Sequence, residues 1–420
     1  MMYKIGDSIL SPLGATTEDN YQAVRSGKTG IRQFPAGFRG LPKAVLASLI
    51  DPRDLELLAA PYCGATTHQA TRYRQAMAAV LESAVTHTVP EFYKKELVES
   101  RKVAVVFCTT KGDVDSFREW SDQVVKPNLF PWHVAQRMMD ELRINGKPFV
   151  VMNSTLSGMQ AMITANRLLS KGTPYDFVIV IGVELISPFT MFLFEQAGLV
   201  GDTMVRPFDT SCDSTNPGES AACAIFVREE RFLKDRPLLK MQEAIKFKAG
   251  VVTTEPCGIF NELQYISQEE QQTHAEAKAS CSGQEYARQG MAMQRAIRKV
   301  LAQENMRNLS FINMHGVGKR FFDDITSVAI EKAGLRKIPV NCFEANFGHS
   351  SGSTSLLDSI LAAKSLERRE ILPTLGYREH GVEGHIQVVT EVKSSAKNSF
   401  MAVSSGFGGV NATVLFSREK

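Results

Sequence analysis

Short apolar runs alternate with longer helix-periodic stretches along most of this 420-residue chain, and that alternation confines it to a layered α/β architecture. The apolar runs predict strands at 103–107, 149–152, 177–182, 222–227, 309–314, 338–340 and 400–404. Helical spacing predicts helices over 66–85, 132–142, 157–169, 284–302, 323–333 and 353–365. In the first of these, Ala70, Tyr73, Met77, Val80, Leu81 and Ala84 line one face, which is the pattern of core packing. The charge-rich segment 229–240 contains Pro237 and suits a connection between two halves, 1–235 and 236–420. Residues 242–283 are largely polar and weakly periodic, so they read as a surface excursion or cap.

Composition bounds the function. With 44% hydrophobic residues the chain can bury a large core. A net charge of +3, with lysine and arginine spread along the chain, gives no electrostatic basis for binding nucleic acid or a membrane surface. Cys63, Cys108, Cys212, Cys223, Cys257, Cys281 and Cys342 lie far apart without metal spacing, and are expected as free buried thiols in a reducing cytoplasm. The first residues carry no apolar signal core, and no run is long enough to cross a bilayer. No metal set, dinucleotide fingerprint or phosphate loop is evident, and no cofactor is expected.

One turn draws attention to chemistry. Asn153-Ser154-Thr155-Leu156-Ser157-Gly158 follows an apolar strand and precedes a helical pattern, so residue 155 falls where a strand turns into a helix N-terminus. Such a position favours an ionised nucleophile, and a cysteine there gains thiolate character. A threonine hydroxyl gains far too little, and needs a strong adjacent base.

Further motifs follow in a fixed order. They are Ser11-Pro12-Leu13-Gly14, Tyr21 to Ile31, Thr109-Thr110-Lys111-Gly112, Arg206-Pro207-Phe208-Asp209 and Gly218-Glu219-Ser220-Ala221-Ala222. In the second half come His315-Gly316-Val317-Gly318, Asn346-Phe347-Gly348-His349-Ser350 and Gly406-Phe407-Gly408-Gly409-Val410-Asn411-Ala412. Together these resemble the β-ketoacyl-acyl carrier protein synthases over nearly the whole chain. The resemblance implies a thiolase-like fold, two similar α/β halves in a layered αβαβα arrangement, usually as a dimer. It also implies that Thr155 stands at the cysteine position, that His315 and His349 are the site imidazoles, and that Phe407, between Gly406 and Gly408, gates the acyl channel. The glycines are read as tolerating left-handed or strained turn conformations.

Departures cluster at the chemistry. Glu344 stands where the family has a lysine; Asp323 fits the family's aspartate, but Thr326 replaces the glutamate three residues on; Lys319 stands where the His-Gly-Thr-Gly motif continues with threonine. A buried Glu344 is protonated or needs a partner, for which Lys319 is one candidate.

Three functions fit. The first is a non-condensing subunit resembling the chain-length factors of type II polyketide and aryl-polyene systems, paired with a cysteine-bearing ketosynthase and served by acyl carrier protein. Typical chain-length factors have also lost the histidines, which this chain keeps. The second is a malonyl-carrier-protein decarboxylase using His315 and His349, which Glu344 opposes. The third is a condensing enzyme with Thr155 as nucleophile. An unrelated ligand in the old tunnel is a further reading, with Met191, Phe192 and Phe194 as lining; core packing is the alternative for that stretch.

Overall fold

The longest apolar runs become strands buried on both faces: every residue of Val103–Cys108 and of Phe177–Glu184 is buried, as a sheet covered by helices on both sides requires. A computed structural model describes residues 1–38, 41, 43–59, 71–114, 130–141, 144–239, 243–254 and 290–419. Its strands are β1 (Met2–Leu10), β2 (Arg32–Phe34), β3 (Val45–Ala47), β4 (Val103–Cys108), β5 (Phe149–Val151), β6 (Phe177–Glu184), β7 (Ser220–Arg228) and β8 (Ala244–Thr254). They continue with β9 (Leu309–Met314), β10 (Pro339–Asn341), β11 (Glu370–Ile371), β12 (Gln387–Val388), β13 (Lys393–Ser394), β14 (Ser399–Ser405) and β15 (Val410–Glu419). The helices are α1 (Thr17–Arg25), α2 (Pro52–Ala59), α3 (Arg72–His87), α4 (Glu91–Glu99), α5 (Pro131–Glu141) and α6 (Ser157–Leu168). After them come α7 (Pro188–Gln196), α8 (Glu229–Leu239), α9 (Met291–Leu301), α10 (Arg320–Lys332), α11 (Glu344–Phe347) and α12 (Ser351–Glu367).

Eleven strands form one mixed sheet in the order β12-β10-β9-β14-β15-β8-β1-β7-β6-β4-β5. Its two wings fold around a central helical layer. Helix α6 packs on β4 and β6 from one side and on β8 and β15 from the other; α12 touches β6 and β7 as well as β9 and β14. The two helices meet at Gly158, where a Cβ would stand 2.4 Å from the Leu356 backbone nitrogen, so only glycine permits the approach. On the outside, Tyr73, Met77, Val80 and Leu81 of α3 pack with Phe107, Ile179 and Ile225. Across the molecule, Met293, Ile297 and Val300 of α9 pack with Ile312, Met401 and Leu415. This is the αβαβα layering that the resemblance implied.

Three segments depart from what their residues predict. Residues 244–254 are not part of a surface excursion but an eleven-residue strand, paired with β1 and β15. Lys246 and Lys248 disguise its alternation, and Lys246 is held by Glu229 at 2.6 Å and Glu419 at 3.5 Å. The rest of that segment, 255–283, lies outside the described residues. Strand β15 was not anticipated, because Asn411, Thr413, Ser417 and Arg418 interrupt its apolar residues; Ala412, Val414 and Phe416 face the central layer while Leu415 faces the outer one. Segment 229–240 is mostly helix α8, whose buried Phe232 stacks on Tyr3 at 4.1 Å. Residues 66–70 and 284–289 of two predicted helices lie outside the described residues; the helices themselves begin at Arg72, capped by the Thr71 hydroxyl, and at Met291.

Candidate functional site

The turn from β5 into α6 is held by its own side chains. Ser157 Oγ accepts the Asn153 N–H at 2.8 Å and donates to the Ser154 carbonyl at 2.6 Å. Ser154 has φ +49°, a left-handed conformation that serine adopts at a cost, and such strain collects at functional positions. Gly406 accommodates it, since a Cβ there would lie 3.0 Å from Ser154 Cβ. Thr155 is buried, and its hydroxyl donates to the Ser405 carbonyl at 2.5 Å. The hydroxyl proton is therefore committed to a backbone oxygen that cannot act as a base.

The two histidines come together from distant parts of the chain. His315 follows β9 and donates its backbone N–H to the Val403 carbonyl at 3.0 Å; His349 follows α11 and donates its own to the Asn216 carbonyl at 2.7 Å. Their ring centroids are 5.3 Å apart. Burial pushes the His315 pKa down to about 4, opposed only in part by the Ser405 carbonyl, which faces the ring without meeting hydrogen-bond geometry. Burial, then His315 and Lys111, push His349 down to about 3. Both rings are neutral at physiological pH. His349 Nδ1 accepts the Ser351 N–H at 3.2 Å, which places the proton of the neutral ring on Nε2. Phe407 stacks on His349 at 5.8 Å, and Phe194 meets it edge-on at 5.5 Å.

The left-handed backbone reading holds for one glycine of the C-terminal turn. Gly409 has φ +77°, whereas Gly406 is needed for the close approach to Ser154, and a Cβ on Gly408 would meet open space.

Asp323 has a structural task. Its carboxylate accepts the N–H groups of Phe208 and Val317, both at 2.9 Å, and the Cys212 thiol at 3.2 Å. It thereby ties the Arg206–Asp209 turn, where Phe208 has φ +64°, to the loop carrying His315. Burial raises its pKa to about 7. The Thr326 hydroxyl donates to the Phe322 carbonyl of its own helix at 2.9 Å. Glu344 is buried, and its Oε1 has no hydrogen-bond partner; burial, then the charges of Asp358 and Asp323, hold its pKa well above the carboxylate range. Lys319 is not its partner, because its ammonium turns outward to the exposed Asp213 at 3.9 Å.

Several neighbours went unread in the sequence. Lys111 forms an ion pair with the fully buried Glu184, which also accepts the Thr109 and Thr110 hydroxyls at 3.0 and 2.8 Å. The Thr-Thr-Lys-Gly motif was visible, but nothing marked Glu184 at the end of β6 as its counterpart. Asp358, buried on α12 with its pKa raised by burial to about 8, looks in sequence like the polar side of a surface helix. Of the apolar stretch on α7, Met191 and Phe194 are buried, but Phe192 is 56% exposed and lines no interior space. No helix among the described residues is long and apolar enough to cross a membrane. Cys108, Cys212, Cys223 and Cys342 are free and buried; Cys63, Cys257 and Cys281 lie outside the described residues.

Comparison with known proteins places this geometry. Among curated relatives, the tetracenomycin polyketide synthase ketoacyl synthase alpha subunit of Streptomyces glaucescens is 25% identical over 301 residues, 69% of this chain and 64% of its own length. A highly reducing polyketide synthase of Glarea lozoyensis is 22% identical over a stretch that is 10% of that protein. The 3-oxoacyl-(acyl-carrier-protein) synthase 2 of Coxiella burnetii is 21% identical over 98% of this chain and 97% of its own. Among solved structures, a ketosynthase in complex with its chain length factor from Xenorhabdus doucetiae superposes with a TM-score of 0.74 at 16% identity, covering 99% of this chain and 97% of the other. The ishigamide ketosynthase/chain length factor gives 0.76 at 17%, over 99% and 98%. Residues 5–231, more than half of the chain, match the β-ketoacyl synthase N-terminal domain, and residues 271–378 match the C-terminal domain. The chain therefore belongs to the β-ketoacyl synthase family, with threonine at the turn where that family carries its cysteine.

Proposed function

We propose that the protein is a non-condensing, chain-length-factor-type subunit that pairs with a cysteine-bearing ketosynthase and helps enclose an acyl chain delivered by acyl carrier protein. The observation that carries this reading is the Thr155 hydroxyl, buried and donating to Ser405 rather than to either imidazole. A ketosynthase needs a nucleophile whose proton reaches a base. This chain offers none at that turn. The whole-chain likeness to structures of ketosynthases with chain length factors supports the pairing. So does the edge of the sheet at β5, which no further strand among the described residues covers, and where Phe149 is 36% and the following Met152 50% exposed. An unpaired edge with apolar neighbours is a template for strand pairing. In this reading Phe407, stacked on His349, gates the chamber, the halves divide near residue 235, and the buried thiols suit the cytoplasm.

The test is co-expression with a ketosynthase that retains its cysteine. A stable heterodimer with elongation activity is expected, and Phe149→Glu should dissociate it. Intact-mass analysis of the isolated chain under excess acyl donor should show no adduct; acylation of Thr155 would overturn the reading.

A second reading is favoured by the two neutral, adjacent imidazoles, since an Nε2–H on His349 can donate to an enolate oxygen. It is decarboxylation of malonyl-carrier protein. Carbon dioxide release by the isolated chain, lost in His315→Ala, would establish it.

A further inference from the structure

Replacing the family's lysine by Glu344 does more than remove a cation. It completes a set of three metal-ligating side chains in one buried space: one ligand atom from each of His315, Glu344 and His349, all within 4.8 Å of one another. Glu344 opens α11 and His349 follows that helix, whereas His315 comes from the loop after β9, so no single helical or hairpin metal motif marks the set in sequence.

Four polar atoms in this space have no hydrogen-bond partner among the described residues: both ring nitrogens of His315, Nε2 of His349 and Oε1 of Glu344. All three residues are at least 97% buried, with His315 at 3%, Glu344 at 3% and His349 at 0% exposure. Buried polar groups in native proteins are nearly always satisfied, so four in one place call for a common partner. Hydrogen bonds among the three side chains are not made, and Lys319 points away. Lys111, whose charge reaches His349, is already paired with Glu184. The phenyl rings of Phe194 and Phe407 wall the space with apolar surface.

We propose that His315, Glu344 and His349 bind one divalent transition-metal ion of the zinc(II) class. Two imidazoles and one carboxylate are a donor set that zinc and ferrous ions take, with bonds of about 2.0–2.2 Å for zinc. Such bonds put ligand atoms about 3.5 Å apart. The ligand atoms lie within 4.8 Å of one another, so binding draws them together by about 1 Å. Two terms oppose binding: the buried Glu344 carboxyl must release its proton to solvent, and His349 must change tautomer. Its Nδ1 accepts the Ser351 N–H, so a cation at Nε2 must move the ring proton to Nδ1 and break that bond. The bond is a single one of 3.2 Å, at the long end of the range, set against three coordinate bonds. The ion also returns positive charge to the place where the family keeps its lysine.

The full chain, stripped with chelator and titrated with zinc chloride, tests this. Calorimetry and elemental analysis should give one zinc per chain. Glu344→Gln and His349→Ala should each weaken binding at least tenfold, and Glu344→Lys should abolish it. Substoichiometric zinc, or equal affinity in Glu344→Gln, would overturn the site. Circular dichroism confirms that the variants fold. If they do not, the cobalt(II) form of the unaltered chain decides: visible d–d bands without thiolate charge transfer support the site, whereas a thiolate band or no bands sinks it.

Discussion

Asp358 supplies a quantitative test of the buried acidic layer. Its carboxyl sits on α12 in the central helical layer, and burial raises its pKa from 3.8 to about 8. The folded-state value lies above the unfolded one, so the native protein keeps a proton that the unfolded chain has released. The stability this proton confers is fully present below about pH 4 and is lost as pH rises through about 8. Linkage sets the slope at about 1.4 kcal/mol per pH unit, and the shift caps the total at roughly 6 kcal/mol. Water penetration and relaxation reduce such penalties, so about 2–4 kcal/mol is expected. Asp358→Asn keeps the shape and makes the side chain permanently neutral. Its urea midpoint should match that of the parent chain at about pH 4, exceed it increasingly as pH rises to about 8, and hold a constant margin above that, measured with chelator present. A difference between the two proteins that stays constant with pH would refute the argument, because it would mean that Asp358 is ionised in the fold throughout.

Other perturbations follow from single contacts. Gly158→Ala forces a methyl against the backbone of Leu356, and should cost about 3 kcal/mol or more, read as a drop in melting temperature; an unchanged melt would mean that α6 and α12 do not meet as described. Lys111→Met strands the buried Glu184 carboxylate and should cost about 3–5 kcal/mol, with most of the loss recovered in the Lys111→Met, Glu184→Gln double variant. Equal stability of the single and double variants would show that the charge is not the cause. Thr155→Val removes the donor to Ser405 and should cost about 1 kcal/mol while leaving elongation by the heterodimer intact; a loss of elongation would show that the hydroxyl takes part in chemistry.

Much of the framework was legible because burial on both faces leaves uninterrupted apolar runs, as in β4 and β6. Strands β8 and β15 escaped for the opposite reason. They carry lysine, serine and threonine at positions that face partly polar neighbours, and only their pairing with β1 and β14 reveals them as interior to the sheet. At the site, the motifs located Thr155, His315, His349 and Phe407, since each sits at a strand end or a glycine-bounded turn. Partnerships were not legible. Lys319 and Glu344 are both read from motifs, yet one points outward to Asp213 while the other is enclosed. Nor does sequence distance hint that Thr155 would find its acceptor in Ser405, on the far side of the central layer.

Two departures from the family pattern, Thr155 and Glu344, differ in their physical effects, which can be ranked. Threonine in the cysteine's place is a weaker nucleophile, and the Thr155 proton is committed to the Ser405 carbonyl. Exchanging lysine for Glu344 affects charge, and its effect depends on what satisfies the carboxyl. With the carboxyl protonated, as its raised pKa favours in the metal-free chain, the space holds no net charge, and two neutral imidazoles face one another. An ionised Glu344 without a cation would oppose any developing negative charge on a thioester oxygen. The zinc titration therefore bears on the decarboxylation reading as well as on the metal site. Carbon dioxide release measured on the metal-free protein, and again on Glu344→Lys, separates the two: an increase in the lysine variant identifies Glu344 as the group that silences the histidines. Equal, absent activity in both would mean that the imidazoles have lost access to substrate, and that His315 and His349 persist for the packing of Phe407 and Phe194 around them.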